Sequence, residues 1–417
     1  MVNVLISLGT WGDLTPILAY AKSIAASDEC TFLVATHSDL LARAVEALAP
    51  IHVETISLGT STVTGDTLVE STALMDLAQR LKTGRAKPSL VICNLFSLCG
   101  TAIAELFCVP CFVVSAFVAT DVARPSGFDE AFELCLASTG PHVSQLDRAD
   151  VRHWAWRLFL ADHGDFREQL GLHPWPHLLP LLVYAIPKVF IDLADTQLPA
   201  SVSVASLSYQ PKQPAEARQV LLRRHPQLAR LLDYTESHRP IIHIGFGSMD
   251  SFHPTLAKEI DSVQVLVSNI ARALEILNVS CLWVVNSSID SLLFKILSQH
   301  QSTLQRMQFI QGPVSYPELF ASGLVCASIN HGGMGTITQV SMAGLKQVIV
   351  PFIFDQRKWG ERLAGIGVAK VVSEEFAEDV EIGEWAFLIR WLVDDTAQGN
   401  NNRIQEWKNR VLEGIIV

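Results

Sequence analysis

At 417 residues the chain is too long for one ordinary core, and length alone favours two domains of about 200 residues each. Hydrophobic residues make up 49% and charged residues 18%, a supply of core that excludes a disordered chain. The formal charge is −11 and no basic run or aromatic-basic stripe appears, so counterion release has no source and nucleic acid is not an expected partner.

The N-terminal "MVNVLISLGTWGD" is apolar over too few residues for a signal peptide and lacks a basic flank, so it reads as a first strand, with the cytoplasm as default location. A helix through "TPILAYAKSIAA" follows. "CTFLVAT" then leads to "SDLLARAVEAL", and "SLVICNLFS" to "CGTAIAELF" and "CFVVSAF". Strands alternating with helices at this pitch predict a parallel sheet covered on both faces, a Rossmann-like domain. Residues 120–195 are irregular, aromatic and Pro-rich, and either line a pocket or simply pack. Within them "LLPLLVYAIPKVFI" (178–191) is broken by prolines and a lysine and falls short of the roughly 20 residues of a spanning helix. It reads as core or as a surface that touches an apolar partner, which leaves peripheral membrane contact open. "SYQPKQPAEARQ" predicts a linker, giving domains at 1–207 and 221–417 around a linker at 208–220. The second series opens with "RPIIHIGFGSM" and runs through "VQVLVSNIARALEIL", "CLWVVN", "MQFIQG" and "LVCASIN". Eight cysteines show no metal-ligand spacing, and "CVPC" (Cys108–Cys111) is expected to be structural rather than redox-active.

"LVCASIN" stops at His331, and "GTITQVSMAG" then places Ile337, Val340 and Gly344 on one helical face, so Gly332, Gly333 and Gly335 crowd a strand-to-helix turn. A helix start exposes unpaired N–H groups and partial positive charge, and glycines let a phosphate approach that backbone. His331 and Thr336, with Ser248 from the "GFGSM" turn, are the candidate side-chain donors. Tight packing alone is the competing explanation. After "QVIVP", Asp355 and Gln356 open the next helix and offer an acceptor and a donor to adjacent hydroxyls, which suits a sugar; Asp355 also qualifies as a helix cap. Ligands of open α/β sheets bind at the carboxyl ends of the strands. Two such domains therefore predict a cleft there.

"HGGMGT...AG....VP...DQ..WGERLAGIGVA", with "GTWGDLTP", "RPIIHIGFGSM" and "FREQLGL", resembles the UDP-glycosyltransferase superfamily, in particular its sterol, macrolide and rhamnosyl transferase branch, over nearly the whole chain. The resemblance implies an α/β GT-B fold, two Rossmann-like domains with parallel sheets facing a central cleft. It also implies inverting, metal-independent transfer of a sugar, glucose in the first instance, from a UDP-sugar to a hydroxyl of an apolar acceptor, with no cofactor. Carried over by position, Ser248, His331, Gly332, Gly333, Gly335 and Thr336 would hold the diphosphate, Asp355 and Gln356 the sugar, and the backbone of "GPVS" around Val314 the base. The N-terminal domain would take the acceptor, with Gly12, Phe96, Phe117 and Trp154 as its candidate contacts. Asp13, at the start of the first helix, matches the aspartate of this branch where many relatives carry a histidine as general base. An N-cap is its bland alternative. An ordinary carboxylate is a weak base for an aliphatic hydroxyl, so proton transfer should come late, and loss of His331 should cost about as much as loss of Asp13.

Two positions depart from the pattern: Asn330 stands where a histidine is frequent, and Lys346 where proline is usual. The helix by which such relatives cross back to the N-terminal domain, after "RIQEWKNRVLEGIIV", is expected to be short or absent. A non-catalytic relative acting as an accessory subunit is the rival from another class, whereas a dinucleotide oxidoreductase lacks the spaced GxGxxG after the first strand.

Overall fold

The computed structural model describes residues 2–25, 31–59, 67–84, 87–121, 124–139, 147–194, 196–205, 213–229, 240–247, 260–285, 295–296, 307–372, 380–394 and 398–416. The chain divides into two units, Met1–Leu207 and Ser208–Val417. Of the stretch expected as a linker, 208–212 lie outside the described residues, and from Pro214 the chain is helical, with the proline at a position where its missing N–H costs nothing.

Unit 1 runs β1 (Val2–Ile6), α1 (Trp11–Ile24), β2 (Thr31–Thr36), α2 (Leu41–Leu48), β3 (His52–Ser57), α3 (Thr67–Thr83), β4 (Pro88–Asn94), α4 (Cys99–Leu106), β5 (Cys111–Ser115), α5 (Phe128–Thr139), α6 (Arg148–His153), α7 (Ala161–Gln169), β6 (Leu181–Tyr184), α8 (Lys188–Leu193) and β7 (Ser203–Val204). Its strands form one parallel sheet, in order β3-β2-β1-β4-β5-β6-β7. Parallel neighbours need crossovers, and the helices supply them while covering both faces. Central β1 and β4 are accordingly apolar runs, whereas the edge strand β3, "HVETIS", keeps charge and exposure. The α1 face of the sheet buries Leu5, Leu14, Ile17, Phe32, Ile92 and Val114 in one core.

Unit 2 continues with α9 (Pro214–Arg224), β8 (Ile241–Gly245), α10 (Ile260–Leu277), β9 (Ser280–Val285), β10 (Met307–Gln311), α11 (Tyr316–Ala321), β11 (Ala327–Asn330), α12 (Met334–Ala343), β12 (Lys346–Ile349), α13 (Gln356–Gly365), β13 (Ala369–Val371), α14 (Ile382–Val393) and α15 (Gln398–Ile416). Its sheet, β10-β9-β8-β11-β12-β13, is also parallel throughout. Alternate residues of one strand feed two cores. Cys281, Trp283 and Val285 pack with Val263, Leu266, Trp385 and Leu388 of α10 and α14. Leu282 and Val284 pack with Leu221, Leu319 and Val340 on the opposite face.

The C-terminal helix α15 is formed over 19 residues. Trp407 anchors it, buried and donating its indole N–H to Ser341 Oγ of α12 at 3.0 Å. Lys346 is buried at the start of β12, where its ammonium donates to the carbonyl of Asp394 and lies 5.9 Å from the Trp391 ring, so the lysine ties the strand to α14. Among the described residues, no helix is long and apolar enough to cross a membrane.

Candidate functional site

In each sheet the strand order reverses at one place, between β1 and β4 in unit 1 and between β8 and β11 in unit 2. At such a switch point the crossovers leave in opposite directions and open a crevice at the carboxyl ends. Of the residues singled out from sequence, His331, Gly332, Gly333, Gly335 and Thr336 follow β11 at the second point, and Gly12, Asp13 and Phe96 follow β1 and β4 at the first.

In unit 2 the β8 exit, Gly245-Phe246-Gly247, lies beside the β11 exit at His331. The His331 ring is held between two glycines: a Cβ on Gly247 would stand 2.8 Å from its Cε1, and one on Gly333 2.4 Å from its Nε2. Burial lowers the pKa of His331 to about 4, although the backbone of Gly245 favours its protonated form. The imidazole is therefore neutral near pH 7, and Nδ1 is buried without a well-formed hydrogen bond. Gly332 has φ +85° and would drive a Cβ to 2.7 Å from Ile349 Cγ2, so packing and backbone both require glycine there. Gly335 differs. It is exposed and a Cβ would meet nothing within 4 Å. Gly333 is the N-cap of α12, and by helix geometry the N–H groups of Gly333, Met334 and Gly335 have no intrahelical acceptor. None of the three bonds elsewhere among the described residues. Thr336 is buried in the first turn, its own N–H bonded to the Gly333 carbonyl at 2.9 Å. Ser248 lies outside the described residues.

At the β12 exit, Asp355 caps α13 by position and accepts the Trp359 indole N–H on Oδ2 at 2.8 Å. Gln356 Oε1 accepts from the N–H groups of Phe352 (2.8 Å) and Ile353 (3.1 Å), which leaves its amide NH₂ as the part that can serve a ligand. Both residues are buried. Phe354 just before them has φ +54°, a costly conformation for a phenylalanine, and is exposed. Val314 turns its side chain into the core formed by Leu221, Ile310 and Leu319.

In unit 1 the N-cap of α1 is Thr10, and Asp13 occupies the third helical position. Its Oδ2 accepts from Thr10 N (2.7 Å) and Thr10 Oγ1 (2.9 Å). Burial raises the Asp13 pKa, and the bonds from Thr10 hold back part of that rise. Gly12 is exposed in the first turn, and Pro16, which has no N–H, leaves the Gly12 carbonyl without its usual i+4 donor. The turn is tied to its neighbours. Asn94 Nδ2 donates to Ser7 Oγ and Leu8 O across the switch point, while Asn94 Oδ1 accepts from Phe96 N at 3.2 Å. Phe96 and Phe117 come together with centroids 5.8 Å apart. Trp154 does not join them. It is 1% exposed, a core residue rather than a surface contact, which corrects the expectation for it.

No family model matches the chain. A sterol 3-beta-glucosyltransferase of Komagataella phaffii is 23% identical over 425 residues, taking in 91% of this chain and 31% of that protein. The solved structure of TcCGT1 in complex with UDP matches with a TM-score of 0.65 at 14% identity, covering 99% of this chain and 95% of that one. The spinosyn rhamnosyltransferase SpnG complexed with thymidine diphosphate matches with a TM-score of 0.56 at 16% identity, covering 99% and 96%. The chain has the GT-B fold. This GT-B chain spans less than a third of the length of the curated relatives it matches.

Several residues that shape the two points in this GT-B chain carry no local sequence signal. His37, at the end of β2, accepts the Gly9 N–H on Nε2 at 3.3 Å, and burial lowers its pKa. Asn94 and Ser97 fix the loops around Asp13 and Phe96 through partners some 90 positions away. Only the fold brings them together. Among the described residues, no group of three His, Cys, Asp or Glu side chains stands where it could hold a metal ion.

Proposed function

We propose that the protein transfers a sugar, glucose in the first instance, from a UDP-sugar to a hydroxyl group of an apolar small molecule, inverting the anomeric carbon without a metal ion. Three unpaired N–H groups beside the His331 imidazole, at the start of α12, carry the reading. They suit a diphosphate, whose oxygens accept and whose negative charge grows as it departs. An anion there would also raise the depressed pKa of His331 by Coulomb attraction, turning a neutral ring into a charged donor when the donor substrate binds. Asp355 and the NH₂ of Gln356 would receive and donate to sugar hydroxyls, and the backbone near Val314 would meet the base.

In this scheme the acceptor oxygen bonds to the anomeric carbon as the bond to the diphosphate oxygen breaks, the acceptor proton passes to Asp13 and UDP leaves. Glycosyl transfer has an oxocarbenium-like transition state. Stabilising the departing group by donors then counts for more than the strength of the base. Phe96 and Phe117 offer an apolar face to the acceptor, as suits the sterol and macrolide-like branch. The first test is calorimetric titration with UDP, dTDP and NAD, followed by turnover on a panel of hydroxylated apolar acceptors with and without EDTA. Binding of UDP with donor cleavage and transfer supports the reading; a preference for NAD, or UDP binding without turnover on any acceptor, overturns the enzymatic one.

A further inference from the structure

Beneath the glycine turn runs a buried ladder of polar side chains contributed by three adjacent strands. Asn330, at the end of β11, accepts the Gly332 N–H on Oδ1 at 2.9 Å. That bond fixes which way the amide faces, since an N–H needs the oxygen. The NH₂ then donates to Ser328 Oγ and to Gln347 Oε1, each at 3.2 Å. Ser328 Oγ also hydrogen-bonds His243 Nδ1 at 3.0 Å, the tautomer of the ring setting which of the two donates. Asn330, Ser328 and His243 are 0% exposed and Gln347 is 1% exposed. Both amide hydrogens of Asn330 and its oxygen are thereby engaged.

From this geometry we infer that Asn330 is a positioning residue for the diphosphate turn. By drawing the Gly332 N–H inward it holds that residue at φ +85°, and the reversal of the chain there presents the next N–H groups, of Gly333, Met334 and Gly335, at the open start of α12. A histidine, the frequent residue in the related motif, has no carbonyl to take the Gly332 N–H while donating twice below. Asn330 therefore acts on the ligand through the backbone, without touching it.

The inference rests on the nucleoside-diphosphate reading of this turn and is tested by the ratio of uridine to UDP dissociation constants, which isolates the diphosphate contribution. In Asn330→Leu the ratio is expected to fall about tenfold or more, the scale of one charge-assisted hydrogen bond, with uridine affinity nearly unchanged. Ser328→Ala, which damages the same ladder but leaves the Gly332 contact, should lower the melting temperature and keep the ratio within about twofold. If Asn330→Leu does not fold, Asn330→Ala takes its place with the same expectation. A ratio unchanged in Asn330→Leu or its replacement, or one that falls equally in Ser328→Ala, overturns the inference. If the wild-type protein binds neither UDP nor dTDP, the functional reading itself fails first.

Discussion

Asp13 and Gly335 separate chemistry from architecture at the level of single side chains. The carboxylate of Asp13 receives two hydrogen bonds from Thr10, and an asparagine oxygen at the same place can receive both. Asp13→Asn should therefore keep the start of α1 and its stability while lowering kcat by about 10²–10⁴-fold, the range of general-base help; a folded variant with normal turnover would assign the proton to another group. Because burial raises the Asp13 pKa above 3.8, the base is lost as pH falls through that raised value. The acid limb of kcat/KM should consequently lie above the ordinary carboxylate range, and it should vanish in Asp13→Asn. Gly335 is the glycine of the turn that packing does not require, since its Cβ would meet open space. Replacing it by alanine in a helical first turn should leave the melting temperature unchanged or slightly higher. The same methyl group obstructs the approach of a phosphate to the three unpaired N–H groups, so the UDP dissociation constant should rise about tenfold while the uridine constant stays put. Equal UDP affinity in the variant would show that the turn is bare for packing alone.

At the scale of elements, α12 is held at both ends. Its C-terminus closes on Gly344 in the left-handed region (φ +72°), where a Cβ would come within 2.8 Å of Lys408 Cδ on α15. The lysine can swing aside but the backbone cannot, so Gly344→Ala should destabilise by about 1–2 kcal/mol, read as a lower denaturation midpoint. Much of this level was legible in the sequence. "VNVLI", "LVICN" and "ASIN" are apolar runs between turn signals, and a strand stopping at a glycine-rich turn before "TITQVSMAG" leaves little choice for α12. The α15 helix was not legible, because "QGNNN" opens it poorly and its stability comes from Trp407 reaching Ser341, a contact 66 positions apart in the chain. Trp154 failed for a related reason. An aromatic in an irregular segment looks alike in sequence whether it faces a ligand or a core. Asn330 stood out only as a departure from a motif, and its partners Ser328 and Gln347 acquire meaning once β11 and β12 lie side by side.

Over the whole molecule, buried histidines set the response to acid. His163 in unit 1 has its pKa lowered to about 3, chiefly by burial and also by Arg167. In unit 2, His243 is lowered to about 3 by burial and by His331, and His331 itself to about 4. Each ring is neutral in the folded protein over a range where the unfolded chain, at about 6.5, already binds a proton. The unfolded state thus holds more protons between about pH 6.5 and 4, and stability must fall as pH falls through that window. Each such histidine contributes a slope of up to about 1.4 kcal/mol per pH unit. Asp13 opposes them, since its raised pKa makes the folded protein the better proton binder above 3.8, but it is one group against several. The melting temperature should accordingly decline on going from pH 7 to pH 5, before ordinary carboxylates titrate. UDP at 100 times its dissociation constant adds about 2.7 kcal/mol at fixed pH. Protonation of His331 destabilises the free fold yet strengthens its grip on an anion, so the increment from a fixed UDP concentration should shrink less with acid in the wild-type protein than in His331→Gln. Parallel pH profiles for the two proteins, measured by calorimetry with and without UDP, would place the ring outside the binding event.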